Sequence, residues 1–124
     1  MVDFQHYLCN QSYWAHGCSR EIVEKSIQNS LRFGVFEGEE QVGFARIVSD
    51  YSTFAGLCDV FIAESYRGGG LEKWLVQLVS SHPEIKTVKY ILLATSDAHE
   101  LYRKYANFKA LRAIEKWMVR YIEI

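Results

Sequence analysis

The feature that most constrains the fold of this chain is a run of three glycines between two apolar segments. Gly68–Gly70 separates a strand-like stretch that ends at Ala63 from a helical pattern that begins at Leu71. Glycines allow the backbone to turn sharply and let a ligand approach it closely. In the helical pattern, apolar residues recur at the spacing of one helix face, at Leu71, Trp74, Leu75, Leu78 and Val79. The segment therefore predicts a buried strand, a tight loop and an amphipathic helix in succession.

The start of that helix is suited to bind an anion. The first N–H groups of a helix have no acceptor within it, and the helix dipole adds about half a positive charge there. A phosphate or pyrophosphate fits such a position, and Arg67 adds a cationic side chain beside it. The glycine spacing matches neither a Walker loop nor a Rossmann fingerprint, so we expect neither of those nucleotide sites.

Alternating or continuous apolar runs predict the strands of a sheet. The predicted strands are Phe4–Cys9, Leu31–Phe36, Gln41–Ser49, Thr53–Ala63 and Thr87–Thr95, followed by two between Phe108 and Ile124 that join near Ile114–Lys116. Glu37–Glu40 is a polar turn with a glycine, so the strands on either side of it form a hairpin. In the second hairpin strand, the alternation places four residues on one face: Val42, Phe44, Arg46 and Val48.

Three further segments predict helix. Ser12–Gly17 resembles one helical turn, and Ser19 can cap a helix from Arg20 to about Ser30. Asp97 can cap a helix after the last of these strands but two, and Asn107 would end that helix in the left-handed conformation. Together these elements predict a single α/β (α+β) domain over residues 1–124, with a mixed, mostly antiparallel central sheet flanked by helices.

Composition excludes several classes of function. The chain has 124 residues, and 14 Lys and Arg against 15 Asp and Glu leave a net charge of −1, so we expect no nucleic-acid partner. No apolar stretch approaches the ~20 residues of a membrane span, and no signal peptide begins the chain, so we expect a cytoplasmic protein without a membrane partner. No metal site is expected, because the cysteines and histidines lack ligand spacing: Cys9, Cys18, Cys58, His6, His16, His82 and His99.

Two blocks together resemble the GNAT superfamily of acetyl-CoA-dependent N-acyltransferases. The run Arg67 to Glu72 is similar to the Gln/Arg-x-x-Gly-x-Gly/Ala signature of that family, and Leu101–Phe108 resembles its Leu-Tyr-Glu-Lys-x-Gly-Phe helix end. The likeness spans roughly Leu31 to Arg112, and Asp50–Phe54 resembles a subgroup of small single-domain members. The resemblance implies a GNAT-like sheet, with an acetyl-CoA cleft between the fourth and fifth predicted strands.

The resemblance also implies roles for individual residues. Backbone N–H groups would cradle the coenzyme A pyrophosphate at Arg67, Gly68, Gly69, Gly70, Leu71 and Glu72. Main-chain groups of Phe61, Ile62 and Ala63 would pair with the pantetheine arm, and an N–H there would polarise the thioester carbonyl. Ser96 and Asp97 lie where family members often bind the same arm. Tyr102 matches the tyrosine that protonates the departing thiolate.

Several of these residues also have a structural interpretation. Asp59 is the lone acid of a buried strand, so burial would raise its pKa toward that of a general base, acting directly or through a water. It can equally be a buried acid that the backbone or Arg46 satisfies. Tyr102 can be a packed ring on an apolar helix face. Some aromatic residues can line an acceptor site or belong to the core or surface, namely Tyr13, Trp14, Phe33 and Tyr51.

Glu72 is the main departure from the family pattern, which has glycine or alanine there. At ~6 Å from a phosphate, its carboxylate would cost roughly 0.7–3 kcal/mol per charge pair, about a 3- to 100-fold loss of affinity. The expected function is transfer of an acetyl group from acetyl-CoA to a primary amine of a small molecule or protein. The alternative is a catalytically weakened GNAT-fold domain that binds acyl-CoA or another protein. A homodimer through the C-terminal strands is a further expectation.

Overall fold

The computed structural model describes residues 20–122. The predicted strand Phe4–Cys9, the helical turn Ser12–Gly17 and the cap at Ser19 lie outside the described residues, as do Tyr13 and Trp14. The helices are α1 (Arg20–Gln28), α2 (Leu71–Ser81) and α3 (His99–Ala106), and the strands are β1 (Leu31–Glu37), β2 (Glu40–Ser49), β3 (Phe54–Ile62) and β4 (Tyr90–Leu92). Short 3-10 turns cover Glu64–Tyr66 and Ile114–Lys116.

The four described strands form one sheet in the order β1-β2-β3-β4. The first three are antiparallel neighbours, and β4 runs parallel to β3. The predicted hairpin is confirmed: Glu37 pairs with Glu40 across a tight turn, in which Gly38 takes the left-handed conformation at φ 61°. The predicted class, a mostly antiparallel mixed sheet flanked by helices, is therefore confirmed.

Two register shifts change which side chains of β2 face the core. The pairing slips between Val35 and Phe36 of β1, and again where β2 passes from Phe44 to Arg46 opposite β3. Val42 and Ala45 are three residues apart, so in a regular strand their side chains would lie on opposite faces. A bulge adds one residue and shifts this alternation, so that Val42 joins Ala45 and Ile47 in the main core. The prediction that Val42, Phe44, Arg46 and Val48 share one face is therefore wrong.

The main core lies between the sheet and helices α2 and α3. Helix α2 contributes Leu75, Val76 and Val79, which are almost fully buried, and α3 contributes Tyr102. The predicted face of α2 is only partly correct, because Trp74 and Leu78 are 50% and 43% exposed. The helix is rotated so that Val76, not Trp74, points toward the sheet.

The C-terminal part of the predicted sheet differs most from the structure. The fifth predicted strand, Thr87–Thr95, is reduced to β4, whose Tyr90 is half exposed because β4 lies at the edge of the described sheet. No strand occurs among residues 107–122, so the prediction of two strands there is wrong. After the Ile114–Lys116 turn, the described residues 117–122 form neither a helix nor a strand, and they are exposed.

Candidate functional site

The glycine loop joins the end of β3 to the start of α2. Gly68 and Gly70 have φ angles of 87° and 85°, in the left-handed region that favours glycine. A Cβ atom built on Gly68, Gly69 or Gly70 would meet no atom within 4 Å. The backbone therefore requires glycine at two of the three positions, and the space in front of all three is open.

The N-terminus of α2 presents backbone donors toward this loop. The first helical hydrogen bond is donated by the Trp74 N–H to the Gly70 carbonyl, at 3.0 Å. The N–H groups of Leu71, Glu72 and Lys73 precede that bond and have no acceptor in the helix. Gly70 at the N-cap has no side chain that could satisfy them. These donors and the helix dipole together suit an anion.

Arg67 ties the loop to the strand before it. Its Nε donates a hydrogen bond to the Ile62 carbonyl at 2.9 Å, while the residue as a whole remains exposed. The predicted cation is thus present at the loop, and part of its guanidinium serves to hold the turn after β3.

The pairing between β3 and β4, the strands that were predicted as the fourth and fifth, is short. It covers only Phe54–Gly56 of β3 against Tyr90–Leu92 of β4. The second half of β3, which leads to the glycine loop, has no pairing with β4 in the described sheet.

The backbone N–H of Ile62 points away from β2, toward the β4 side of β3. Ala63 donates its N–H to the Val42 carbonyl at 2.7 Å, on the side of β2. Since successive residues of a strand point their N–H groups to opposite sides, Phe61 also points toward β2 and Ile62 points away from it. Of the three residues predicted to pair with the pantetheine arm, Phe61 and Ala63 point their N–H groups toward β2, and Ile62 points its N–H group to the other side.

Two carboxylates lie near the start of α2. Glu72 is half-buried, and its pKa is raised chiefly by that burial, with Asp97 adding to the rise and Arg67 opposing it. Asp97 does not cap α3 as predicted, since the N-cap is Ala98 and no side chain bonds there. The Thr95 hydroxyl instead accepts the N–H groups of Asp97 and Ala98, at 3.4 and 3.0 Å. Asp97 and its neighbour Ser96 are exposed.

Tyr102 is a buried phenol beside these acids. It is 7% exposed, and its ring packs edge-on against Phe108 with ring centroids 5.7 Å apart. Burial, with smaller contributions from Glu72 and Asp97, raises the pKa of Tyr102 to about 12. The hydroxyl therefore keeps its proton at neutral pH and can donate it. Among the predicted residues, the structure thus brings together Arg67, Glu72, Asp97 and Tyr102.

Asp59 belongs to a different group of side chains. Its Oδ2 accepts a hydrogen bond from the Arg46 Nε at 2.7 Å, and the Arg46 Nη1 donates to the Ser30 hydroxyl at 3.0 Å. The Asp59 side chain is 2% exposed, and no described residue donates to its Oδ1. Burial raises the pKa of Asp59, and Arg46 opposes the rise. Of the two interpretations of Asp59, the pairing with Arg46 is observed.

The sequence did not predict several neighbours of these residues. Ser30 was only the expected end of a helix, and its hydroxyl now orients Arg46. Of the aromatic residues proposed for an acceptor site, two are described: Phe33 packs edge-on against His82 with ring centroids 5.5 Å apart, whereas Tyr51 is 44% exposed. Only the apolar spacing around Phe108 could have indicated its contact with Tyr102.

Within residues 20–122, no helix combines the length and apolar character that crossing a membrane requires. In the same range, no group of three or more His, Cys, Asp or Glu side chains is placed to hold a metal ion.

Comparisons with known proteins agree on one family. Residues 2–108 match the model of the acetyltransferase (GNAT) family. A candidate acetyltransferase of Gibberella zeae is 26% identical over 125 aligned residues, which cover 83% of this chain and 69% of that protein.

Solved structures share the fold. A candidate GNAT-family acetyltransferase of Xanthomonas campestris pv. campestris superimposes with a TM-score of 0.90 at 39% identity, covering 96% of this chain and 83% of its own. A Clostridium acetobutylicum acetyltransferase solved with acetyl-CoA has a TM-score of 0.64 at 13% identity, covering 97% of this chain and 92% of its own. At that identity the second likeness concerns the fold alone.

Proposed function

This chain belongs to the GNAT acetyltransferase family, and from that membership we propose that it transfers an acetyl group from acetyl-CoA to a primary amine of a small molecule or a protein. The family makes the chain an acyltransferase. The observation that carries the finer proposal is the open glycine loop at the start of α2, next to the protonated hydroxyl of Tyr102.

The donor side of the site has the groups that coenzyme A requires. Its pyrophosphate is an anion, which suits the N–H groups at the start of α2, and a Cβ built on Gly68, Gly69 or Gly70 in the preceding loop would meet nothing within 4 Å. Its pantetheine arm carries amides, and Ile62 offers an unpaired N–H at the edge of β3. The acetyl-CoA in the Clostridium acetobutylicum structure, which has the same fold, supports this donor. The residues of this chain therefore fit the coenzyme.

Proton movements follow from the state of Tyr102. The bound donor supplies an acetyl thioester, whose C–S bond breaks as the amine nitrogen forms the new C–N bond. The Tyr102 hydroxyl donates its proton to the departing sulfur and afterwards recovers one from solvent. The Ile62 N–H, at the open edge of β3, polarises the carbonyl that the amine attacks.

The amine must also lose a proton, and we assign its removal to Asp59 through an intervening water. The raised pKa of Asp59 suits a base, and its Oδ1 lacks a described partner. Since its side chain is 2% exposed, direct contact with a substrate is excluded in this conformation. Asp59→Asn should abolish the increase of kcat/KM with rising pH. If the variant kept that increase, Asp59 would have no role as a base and only its structural pairing with Arg46 would remain.

A specific observation favours the weakened-domain alternative. Glu72 and Asp97 bring two carboxylates to the site that would hold a pyrophosphate, and Glu72 is half-buried instead of turned into solvent. Both charges disfavour an anionic ligand. Binding of acetyl-CoA without turnover on a panel of amines would support this second function.

Gly69→Ala tests the donor site. The φ angle of Gly69 is not in the left-handed region and an added Cβ meets nothing, so the variant should keep the stability of the parent chain. The methyl group would, however, occupy the space assigned to the pyrophosphate. Calorimetry should show acetyl-CoA binding at least 10-fold weaker, with an unchanged unfolding midpoint.

Gly56→Ala is the matched control. Its added Cβ would meet only the Phe54 ring at 4.0 Å, an ordinary contact, and it lies on β3 away from the loop. It should bind acetyl-CoA like the parent chain. Equal affinities for all three proteins would show that the ligand does not use the loop, and absence of binding by the parent chain would refute the proposed donor.

A further inference from the structure

A continuous chain of hydrogen bonds joins the end of α1 to Asp59 in β3. The Ser30 hydroxyl, which lies between α1 and β1, donates its proton to the Ser26 carbonyl in the last turn of α1, at 2.5 Å. The Ser30 oxygen accepts a hydrogen bond from the Arg46 Nη1 at 3.0 Å, and the Arg46 Nε donates to the Asp59 Oδ2 at 2.7 Å. Because a hydroxyl has one proton and a guanidinium has no acceptor, the direction of each bond in this chain is fixed.

The chain of bonds ends at the bulge of β3. Two residues of β3, Asp59 and Val60, lie there opposite the single residue Ala45 of β2. Asp59 has a φ angle of 55°, which residues other than glycine adopt only rarely. The side chains of Asp59 and Arg46 are both almost fully buried. In such surroundings the position of one charge strongly affects the ionisation of the other.

The two carboxylate oxygens of Asp59 have different surroundings. Oδ2 accepts the hydrogen bond from Arg46, whereas no described residue donates to Oδ1. Among the charged and titratable groups of residues 20–122, β2 contributes Arg46 and β3 contributes Cys58, while the end of α1 contributes the neutral Ser30 hydroxyl through Arg46. Burial raises the pKa of the Cys58 thiol, which therefore stays neutral near pH 7. Arg46 is thus the group that opposes the raised pKa of Asp59.

We propose that Ser30 is a positioning residue for Asp59: it anchors Arg46 to the end of α1, and Arg46 then holds Asp59 with Oδ2 engaged and Oδ1 free to receive a proton. The inference rests on the proposed function, in which Asp59 removes a proton from the amine through a water. Without the Ser30 oxygen, the guanidinium loses the contact that fixes it. It then stabilises the Asp59 carboxylate less, so that Asp59 keeps its proton up to a higher pH.

The first test measures the ionisation of Asp59 directly and does not depend on catalysis. The chain has four aspartates, so isotope-labelled aspartate gives few carboxyl signals in NMR, and Asp59→Asn identifies the signal of Asp59. In a pH titration, Ser30→Ala should move the midpoint of this signal upward. Ser30→Thr keeps a hydroxyl and should restore the midpoint of the parent chain.

Ser80→Ala is the matched control for the loss of a hydroxyl. Ser80 is also partly buried, and its hydroxyl also donates to a carbonyl four residues earlier, that of Val76, at 2.8 Å. It lies on α2 and outside the chain of bonds that leads to Asp59. The control should therefore leave the midpoint of Asp59 unchanged.

The second test is the pH profile of the reaction. In Ser30→Ala, kcat/KM should be about 3- to 10-fold below that of the parent chain at the acidic end and should approach the parent value at high pH, because only the ionised fraction of Asp59 has changed. Ser30→Cys is a second variant of nearly the same volume, which serves even if Ser30→Ala does not fold. Sulfur is a weak acceptor, so the midpoint of Asp59 should rise in this variant as well.

The outcomes separate this proposal from the proposed function. A midpoint of Asp59 that is the same in the parent chain, Ser30→Ala and Ser30→Cys would overturn the positioning role. A midpoint that moves while the pH profile of kcat/KM stays unchanged would also overturn it, since the hold on Asp59 would then not matter to the reaction. Absence of acetyl transfer by the parent chain would instead refute the proposed function, and the NMR titration would still decide whether Ser30 holds Asp59 through Arg46.

Discussion

Tyr102 combines burial with a reactive hydroxyl, and the two properties can be separated by removing one oxygen atom. Tyr102→Phe keeps the ring that packs against Phe108 but removes the proton donor. Because a positioned general acid typically contributes about 10²–10⁴-fold, kcat should fall by that order, while acetyl-CoA affinity changes little. Steady-state kinetics and calorimetry measure the two quantities.

The pKa of Tyr102 adds a condition on this experiment. A proton donor with a pKa of about 12 stays protonated between pH 6 and 9. Any decrease of the parent kcat with rising pH in that range should therefore not come from ionisation of Tyr102. Tyr105→Phe, one turn further along α3, is the control and should retain the parent kcat. Full activity of Tyr102→Phe would assign Tyr102 to the core alone.

Glu72 should make coenzyme binding depend on pH. Its pKa is raised, mainly by burial, so the folded protein favours the neutral carboxyl. The stability that this group contributes is thus complete below its unfolded pKa and is lost as the pH rises through the raised value. The neutral carboxyl also repels phosphate least, so acetyl-CoA affinity should increase as the pH falls through the same range.

Glu72→Gln removes the charge and keeps the shape. For a charge about 6 Å from a phosphate, the variant should bind acetyl-CoA about 3- to 100-fold more tightly at pH 8 and lose the pH dependence. Glu84→Gln, an exposed change beyond the other end of α2, should behave like the parent chain in calorimetry. A Glu72→Gln affinity equal to that of the parent would place the carboxylate clear of the phosphates.

At the scale of elements, the orientation of α2 determines which of its leucines contributes more to the unfolding free energy. Leu75 is fully buried in the main core, whereas Leu78, on the next turn, is 43% exposed. Leu75→Ala should lower the unfolding free energy by about 2–5 kcal/mol, because the core closes only partly around the cavity. Leu78→Ala should cost less than half as much in the same denaturant titration. Similar losses would mean that the helix presents the face that its sequence periodicity predicts.

The irregular pairing of β2 with β3 is held by one buried ion pair. Asp59 has a φ angle of 55° at the register shift, and Arg46 reaches it from the neighbouring strand. Arg46→Met would leave the Asp59 carboxylate buried without its partner, which costs about 3–5 kcal/mol of unfolding free energy.

The loss in Arg46→Met should depend on pH in a definite direction. Without Arg46, the pKa of Asp59 rises further, and the folded state gains stability as the carboxyl takes up a proton. The loss should therefore be smaller at pH 5 than at pH 8, and adding Asp59→Asn should recover much of it. Equal losses at both pH values would show that Asp59 carries no charge in the parent fold.

At the scale of the whole molecule, features that depend on neighbouring residues could be predicted from the sequence. The polar turn with Gly38 fixed the register of the hairpin, and Gly70 marked the start of α2. Asn107 ends α3 at φ 61°, the left-handed conformation expected for asparagine there. The glycine loop and Tyr102 could be predicted from the sequence for the same reason, since each lies within one short motif.

Features that depend on distant partners were not predictable in this way. Thr95 took the backbone donors that Asp97 was expected to cap, and the two register shifts moved Val42 to the core side. Asp59 had two possible partners until the fold brought Arg46 to it. The C-terminal residues have the composition of strands, but a strand forms only where another strand offers its edge.

The three consecutive glycines, although identical in sequence, would respond differently in a library of random variants. Selection for folding alone should retain glycine at positions 68 and 70, where left-handed backbone angles penalise any side chain. Position 69 should accept small residues under that selection and reject them only when growth or fluorescence is made to depend on the coenzyme. The difference between the two selections at position 69 would show whether the coenzyme occupies the open space in front of the loop.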